Sequence, residues 1–201
     1  MLTSAGFAAV LLLWHFSVGK AHSFLALHNA LFVFPSAWKI ITFLGDGFSV
    51  AILFPALWFW RSRQAAFTLL FAWLLGTAAV QGLKNTAYQN EARPIEWFEK
   101  VNQTPLVVPD GIAMPYRNFS FPSGHTATAF SLWGILLLFT QGPIWRIACS
   151  LVPVFVGLSR VVLMQHFPID VCFGALIGIV SVLPALALYN RWMGVLGPLN
   201  K

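Results

Sequence analysis

A guanidinium, an imidazole and a carboxylate stand together in Ser159-Arg-Val-Val-Leu-Met-Gln-His-Phe-Pro-Ile-Asp170, where one apolar run ends and the next begins. Charge at the edge of a membrane-like run is costly and usually has a task. Two further groups answer it upstream: Pro122-Ser-Gly-His125, and Lys84 with Arg93-Pro94. A phosphate monoester carries close to two negative charges and strong acceptor oxygens. Lys84, Arg93 and Arg160 supply the cations to bind one. Each unit charge pair at 4 Å is worth about 4 kcal/mol at an effective dielectric near 20, before desolvation.

The expected local structure sharpens that reading. Ser123 suits an N-cap and Gly124 lets backbone approach a ligand closely. Free N–H groups at such a helix start form an anion site. Pro168 suits the first position of a later helix, which puts His166 just before it and Asp170 in its first turn. His166 is then the candidate nucleophile. Asp170 can accept one ring N–H and leave the other nitrogen's lone pair for phosphorus. His125 would protonate the leaving oxygen and later activate water.

Composition says what holds these residues. Of 201 residues 58% are hydrophobic and 9% charged, with a mean hydropathy of +0.75. A soluble domain carries about 25% charged residues, so this chain is suited to a lipid bilayer. Nineteen Phe and nine Trp fit aromatic interface anchors. We expect one all-α domain over residues 1–201: a polytopic bundle of about six transmembrane helices, an interfacial helix and a long extracytoplasmic loop. The net charge of +6 comes with no basic run or RNA-type aromatic motif, so nucleic acid is not an expected partner. Cys149 and Cys172 read as small buried hydrophobes.

The apolar runs fall at about 2–18, 40–60, 64–83, 124–140, 144–163 and 169–190. The first lacks the basic start of a signal peptide and reads as a retained helix. The run at 23–35 is too short to span and reads as interfacial. Arg61-Ser-Arg63 and Gln141–Arg146 read as tight turns between antiparallel helices. The stretch from Lys84 to Pro122 holds Pro94, Pro105, Pro109, Pro115 and Pro122, and a loop of that length is usually functional. A short helix from Pro94 would lay Ile95, Trp97 and Phe98 on the membrane surface.

Charge sets the sidedness. Arg61, Arg63, Arg146, Arg191 and Lys201 mark one face as cytoplasmic, with Trp58, Trp60, Trp145 and Trp192 as its aromatic belt. Asp46, Glu91, Glu96, Glu99, Asp110 and Asp170 fall toward the other. Lys20 and Lys39 run against the bias. With six spans, Lys84, Ser123, Arg160 and Asp170 all reach one face, the extracytoplasmic one.

With these residues in place the chain resembles the type 2 phosphatidic acid phosphatase family, integral-membrane lipid phosphatases related in site to vanadium haloperoxidases. Its signatures are a Lys followed by Arg-Pro, then Pro-Ser-Gly-His, then Ser-Arg-x5-His-x3-Asp. The last two stand here without mismatch. Eight residues separate Lys84 from Arg93, a longer interval than is usual in that family. The resemblance covers about residues 40–190. It implies a metal-independent reaction through a phosphohistidine at His166, without a cofactor. It also implies phosphate contacts from Lys84, Arg93, Ser123, Gly124, His125 and Arg160.

The implied substrate is a membrane lipid phosphate or pyrophosphate at the outer leaflet of a bacterial inner membrane. Phosphatidylglycerol phosphate, phosphatidic acid, undecaprenyl pyrophosphate and lipid A phosphates are the candidates. Transfer of the phosphoryl group to another lipid is one alternative, and a non-enzymatic lipid-binding transporter or scaffold is another. Headgroup choice and oligomeric state are not legible in the sequence. His15, His22 and His28 read as structural, and Asp46 as either an outer partner of the site or a turn residue. The acids and histidines show none of the usual metal-ligand spacings.

Overall fold

Prolines and a serine set where the helices begin. In a computed structural model, which describes residues 2–104, 106–108 and 118–194, the regular structure is helical with no strand among the described residues. The elements are α1 (Leu2–Val18), α2 (Lys20–Leu31), α3 (Pro35–Phe43), α4 (Phe48–Trp60), α5 (Arg63–Thr86), α6 (Pro94–Lys100), α7 (Gly124–Phe139), α8 (Pro143–Val162) and α9 (Pro168–Trp192). Pro35, Pro94, Pro143 and Pro168 each open a helix, where a missing N–H costs nothing. Ser62 caps α5 by accepting the Ala65 N–H at 3.1 Å, so Arg61 and Ser62 make the tight turn expected there. Pro105, Pro109, Asp110, Pro115 and Lys201 lie outside the described residues.

α5, α7 and α9 pack on one another, with α4 against α5. Their shared core joins Val50 and Leu57 of α4, Ala66, Leu69 and Ala72 of α5, Leu132 and Ile135 of α7, and Val182 and Ala185 of α9. Small residues let α7 and α9 approach. A Cβ on Gly174 would lie 2.5 Å from the Ser123 carbonyl oxygen, and one on Gly178 would lie 2.5 Å from that of Ala127. Small residues four apart are a common device of helix pairs in lipid. Gly174 therefore seats the start of α7. Gly174→Ala is expected to displace Ser123 and destabilise the fold by about 1–3 kcal/mol, with phosphate release falling in parallel. Thermal unfolding in detergent and turnover on one sample check this.

The outward faces are apolar: Leu13, Phe16, Ile40, Phe59 and Leu183 are all more than half exposed. Large exposed apolar area of this kind is rare on soluble monomers. Among the described residues three helices, α5, α8 and α9, are long and apolar enough to cross a membrane; α1, α4 and α7 are shorter apolar helices. α2 and α3 pass the same test together but meet at a bend of 108°.

Two expectations need correction. The apolar run at 40–60 is not one helix: Leu44–Gly47 form a turn that divides α3 from α4. Hydropathy averages over the break, whereas Asp46 makes it locally by accepting the Phe48 N–H at 3.2 Å. Second, α6 does start at Pro94, but Phe98 is fully buried rather than on the membrane surface. It packs with Phe24 of α2 and Phe167, and Ile95 and Trp97 lean on the same cluster. That aromatic group forms the floor beneath the junction of α8 and α9. α2 closes it from the side, burying Ser23, Phe24 and His28.

Candidate active site

The end of α8 and the start of α9 carry the densest chemistry. Met164 adopts a left-handed backbone, φ 56°, which turns the chain back on itself after α8. A non-glycine residue there costs free energy, and such positions gather at functional sites. The turn returns the N–H groups of Gln165 and His166 to the Arg160 carbonyl, at 2.9 and 3.2 Å. The backbone of Arg160 thus anchors His166, whose ring is buried.

Asp170 stands in the first turn of α9, as expected from Pro168. Its Oδ2 accepts from the Phe167 N–H at 2.9 Å and from the Ser120 hydroxyl at 2.5 Å. The same oxygen lies 3.5 Å from His166 Nδ1, which has no hydrogen-bond partner among the described residues. Asp170 therefore faces Nδ1 of the His166 ring, while two other donors share its charge. Its backbone carbonyl also accepts the Ser123 N–H at 3.0 Å, tying the two helix starts together.

Around this pair the cations converge. Arg160 donates from Nη1 to Thr42 Oγ1 at 2.7 Å, and its buried Nε has no partner among the described residues. Arg93 donates from Nη1 to the side-chain and backbone oxygens of Gln165, at 3.0 and 3.2 Å, and from Nε to the Asn118 carbonyl at 3.1 Å. Lys84, in the last turn of α5, donates to the Phe119 carbonyl at 2.9 Å. Phe119 itself is left-handed, φ 61°. Lys84 and Arg93 thereby pin residues 118 and 119, which delivers Ser120 to Asp170.

Electrostatics register the convergence. Burial, then the charges of Arg93, Arg160, Lys84 and His125, hold His166 protonation well below its ordinary range. The ring is a neutral base with a free lone pair at neutral pH. Three cations gathered on one neutral imidazole form a site suited to an anion.

α7 completes the arrangement. Ser123 occupies the N-cap position and is fully buried, yet its hydroxyl accepts from Thr126 Oγ1 at 2.9 Å instead of capping the backbone. Gly124 and His125 open the helix, and His125 Nε2 lies 3.4 Å from Asp46 Oδ2. All eight residues singled out from the sequence, Lys84, Arg93, Ser123, Gly124, His125, Arg160, His166 and Asp170, thus lie at one end of the bundle. The remaining buried histidines are engaged elsewhere: His15 Nδ1 with Ser23 Oγ at 2.7 Å, and His28 Nδ1 with the Val162 carbonyl at 2.9 Å.

Sequence reasoning missed Ser120, Gln165 and Thr42. Ser120 and Gln165 sit within or beside the motifs, but their partners are distant in the chain. Thr42 carries no local signal at all.

Comparison with known proteins follows the same residues. A family model described as the PAP2 superfamily matches residues 65–193. The probable diacylglycerol pyrophosphate phosphatase 1 of Schizosaccharomyces pombe is 30% identical over 148 residues, covering 61% of this chain and 51% of that protein. The chain spans about half the length, or less, of the curated relatives it matches. The crystal structure of Aquifex aeolicus LpxE superposes with a TM-score of 0.68 at 27% identity, covering 84% of this chain and 94% of that one. A transmembrane PAP2 type phosphatidylglycerolphosphate phosphatase from Bacillus subtilis shares the fold, with a TM-score of 0.60 at 21% identity over 99% and 98% of the two chains.

Proposed function

The chain belongs to the PAP2 superfamily, and on that premise we propose that it is a membrane lipid phosphatase acting through a phosphohistidine at His166. The observation that carries this reading is the buried His166 ring, with Asp170 Oδ2 3.5 Å from its Nδ1 and with Arg93, Arg160 and Lys84 at the same end of the bundle. Asp170 on the Nδ1 side leaves Nε2 as the attacking nitrogen. Nε2 attacks phosphorus as the bond from phosphorus to the lipid oxygen breaks. His125 gives that oxygen its proton. Water, activated by His125, then attacks the phosphohistidine; the phosphorus–nitrogen bond breaks and inorganic phosphate leaves. Arg93, Arg160, Lys84 and the N–H group of Gly124 stabilise the charge on the phosphoryl oxygens throughout.

The substrate class is a lipid with a terminal phosphate or pyrophosphate. The apolar outer surface and the name of the Schizosaccharomyces pombe relative both favour it. We assign α1, α4, α5, α7, α8 and α9 as six spans, with α2 and α3 bent beside the site. Arg61, Arg63 and Arg146 stand at the end opposite His166, which supports a cytoplasmic face there and an extracytoplasmic site. The resident groups around the phosphate position are cations, imidazoles and two carboxylates, Asp170, shared by Ser120 and Phe167, and Asp46, which faces His125. That set binds an anion directly and needs no divalent metal to bridge it.

The test is phosphate release by purified protein from phospholipid, prenyl and lipid A phosphates, with and without chelator. Turnover on at least one lipid, unchanged by chelator, is the expected result. Turnover abolished by chelator would contradict the metal-free step.

A further inference from the structure

The turn between α3 and α4 reaches into the site from outside the segment that the family model covers. It is clasped there at several points. Thr42 Oγ1 accepts from Arg160 Nη1 at 2.7 Å, and the Leu44 carbonyl accepts from Trp133 Nε1 at 3.2 Å. Gly45 lies so close that a Cβ on it would meet the His125 carbonyl oxygen at 2.7 Å and collide with Val156. These contacts put Asp46 beside His125. Its Oδ1 is occupied by the Phe48 N–H, and its Oδ2 lies 3.4 Å from His125 Nε2.

We propose that Asp46 is a positioning residue for His125, holding the ring through Nε2 so that Nδ1 presents its proton to the departing lipid oxygen. The proposal rests on the reading of His125 as the general acid. A histidine that must donate from one nitrogen needs its other nitrogen fixed, and a carboxylate acceptor does this while stabilising the imidazolium form. The need is acute here, because the cations Arg160, Lys84 and Arg93 gather at the same end of the bundle. Asp46 faces His125 with the compensating charge. Space supports the assignment: Asp46 and His125 line one cavity of about 200 Å³ together with Trp73, Thr77, Gln81 and Thr128. That volume, open beside the acid, accommodates the part of the lipid headgroup that leaves.

The role makes a specific demand on the leaving group. A lipid alkoxide is a poor leaving group and needs its proton during bond breaking, whereas para-nitrophenolate departs without one. The experiment compares wild type, Asp46→Asn and Asp46→Ser on a lipid phosphate and on para-nitrophenyl phosphate. Asp46→Ser keeps an oxygen to accept the Phe48 N–H, so the turn survives even if the Asn variant fails to fold. Loss of an oriented acid is expected to lower kcat/KM about 100-fold on the lipid but less than about threefold on the aryl ester. In a His125→Ala background the same substitutions are expected to change neither rate further.

Equal losses on both substrates, or wild-type rates on the lipid, overturn the role of Asp46. His166→Ala, run alongside, separates the two levels. If it is inactive while the Asp46 variants keep the wild-type ratio, only the Asp46 proposal falls. If it matches wild type, the phosphatase reading falls and takes the Asp46 role with it.

Discussion

Replacing His166 with alanine is expected to lower phosphate release from a lipid phosphate by about 10,000-fold or more, the scale seen when a hydrolase loses its nucleophile. Among the described residues, the neighbouring hydroxyls are engaged: Ser120 is bound to Asp170, and the Ser123 hydroxyl is held by Thr126. His166 also has the protonation state the step requires. Burial and the surrounding cations keep the ring neutral below its ordinary range. The lone pair therefore remains available at neutral and mildly acidic pH, and acidification through pH 6.5 does not remove it. The side chain is buried, so its deletion costs stability too, on the order of 2–4 kcal/mol. An elution profile and a thermal transition recorded in detergent on the same sample, with turnover read well below that transition, separate that loss from the chemical one. Residual turnover within tenfold of wild type would reject His166 as the nucleophile.

The second large effect is expected at Arg160. Arg160→Ala should reduce kcat/KM by about 100- to 1,000-fold, the range for removing one positioned donor to a developing oxyanion. The guanidinium is buried, and Thr42 and Gln165 steer its two Nη atoms while Nε has no protein partner among the described residues. A free N–H held rigidly inside a site is a donor reserved for a ligand. Arg160→Lys keeps the charge but loses the planar fork, so it should recover less than a tenth of the lost activity. Kinetics on one lipid substrate across the two variants decide this. Full recovery by lysine would reduce Arg160 to a point charge.

Much of this site was legible because its key relations are local. His166, Pro168 and Asp170 lie within five residues, so a helix start at Pro168 dictates that the carboxylate faces the ring. The same holds for Ser123, Gly124 and His125 at the start of α7, and for Pro94 opening α6. The helical class followed from hydropathy, since apolar runs of this length suit helices. What escaped were relations across the chain. Ser120 meets Asp170 fifty positions away, and Thr42 meets Arg160 at a separation of 118. Nothing in either neighbourhood announces such a partner.

Hydropathy also misread Phe98, because an apolar side chain on a short helix suits a membrane surface and an aromatic floor equally well. The division of 40–60 into α3 and α4 was visible only as Gly45-Asp46-Gly47. Those residues look like an ordinary turn until Gly45 is seen pressed against His125. Motif spacing therefore identified the groups proposed for chemistry, while the residues that hold them depended on tertiary contacts.

The covalent step itself is open to direct observation. Wild-type protein mixed with a lipid phosphate carrying a radioactive phosphoryl group is quenched in alkali within one turnover, then digested and sequenced by mass spectrometry. Label on His166, stable to base and lost in acid, is the expected result, and it should be absent from His166→Ala. Label on a serine or aspartate, or phosphate released at full rate with no labelled protein at any time point, would contradict a phosphohistidine route.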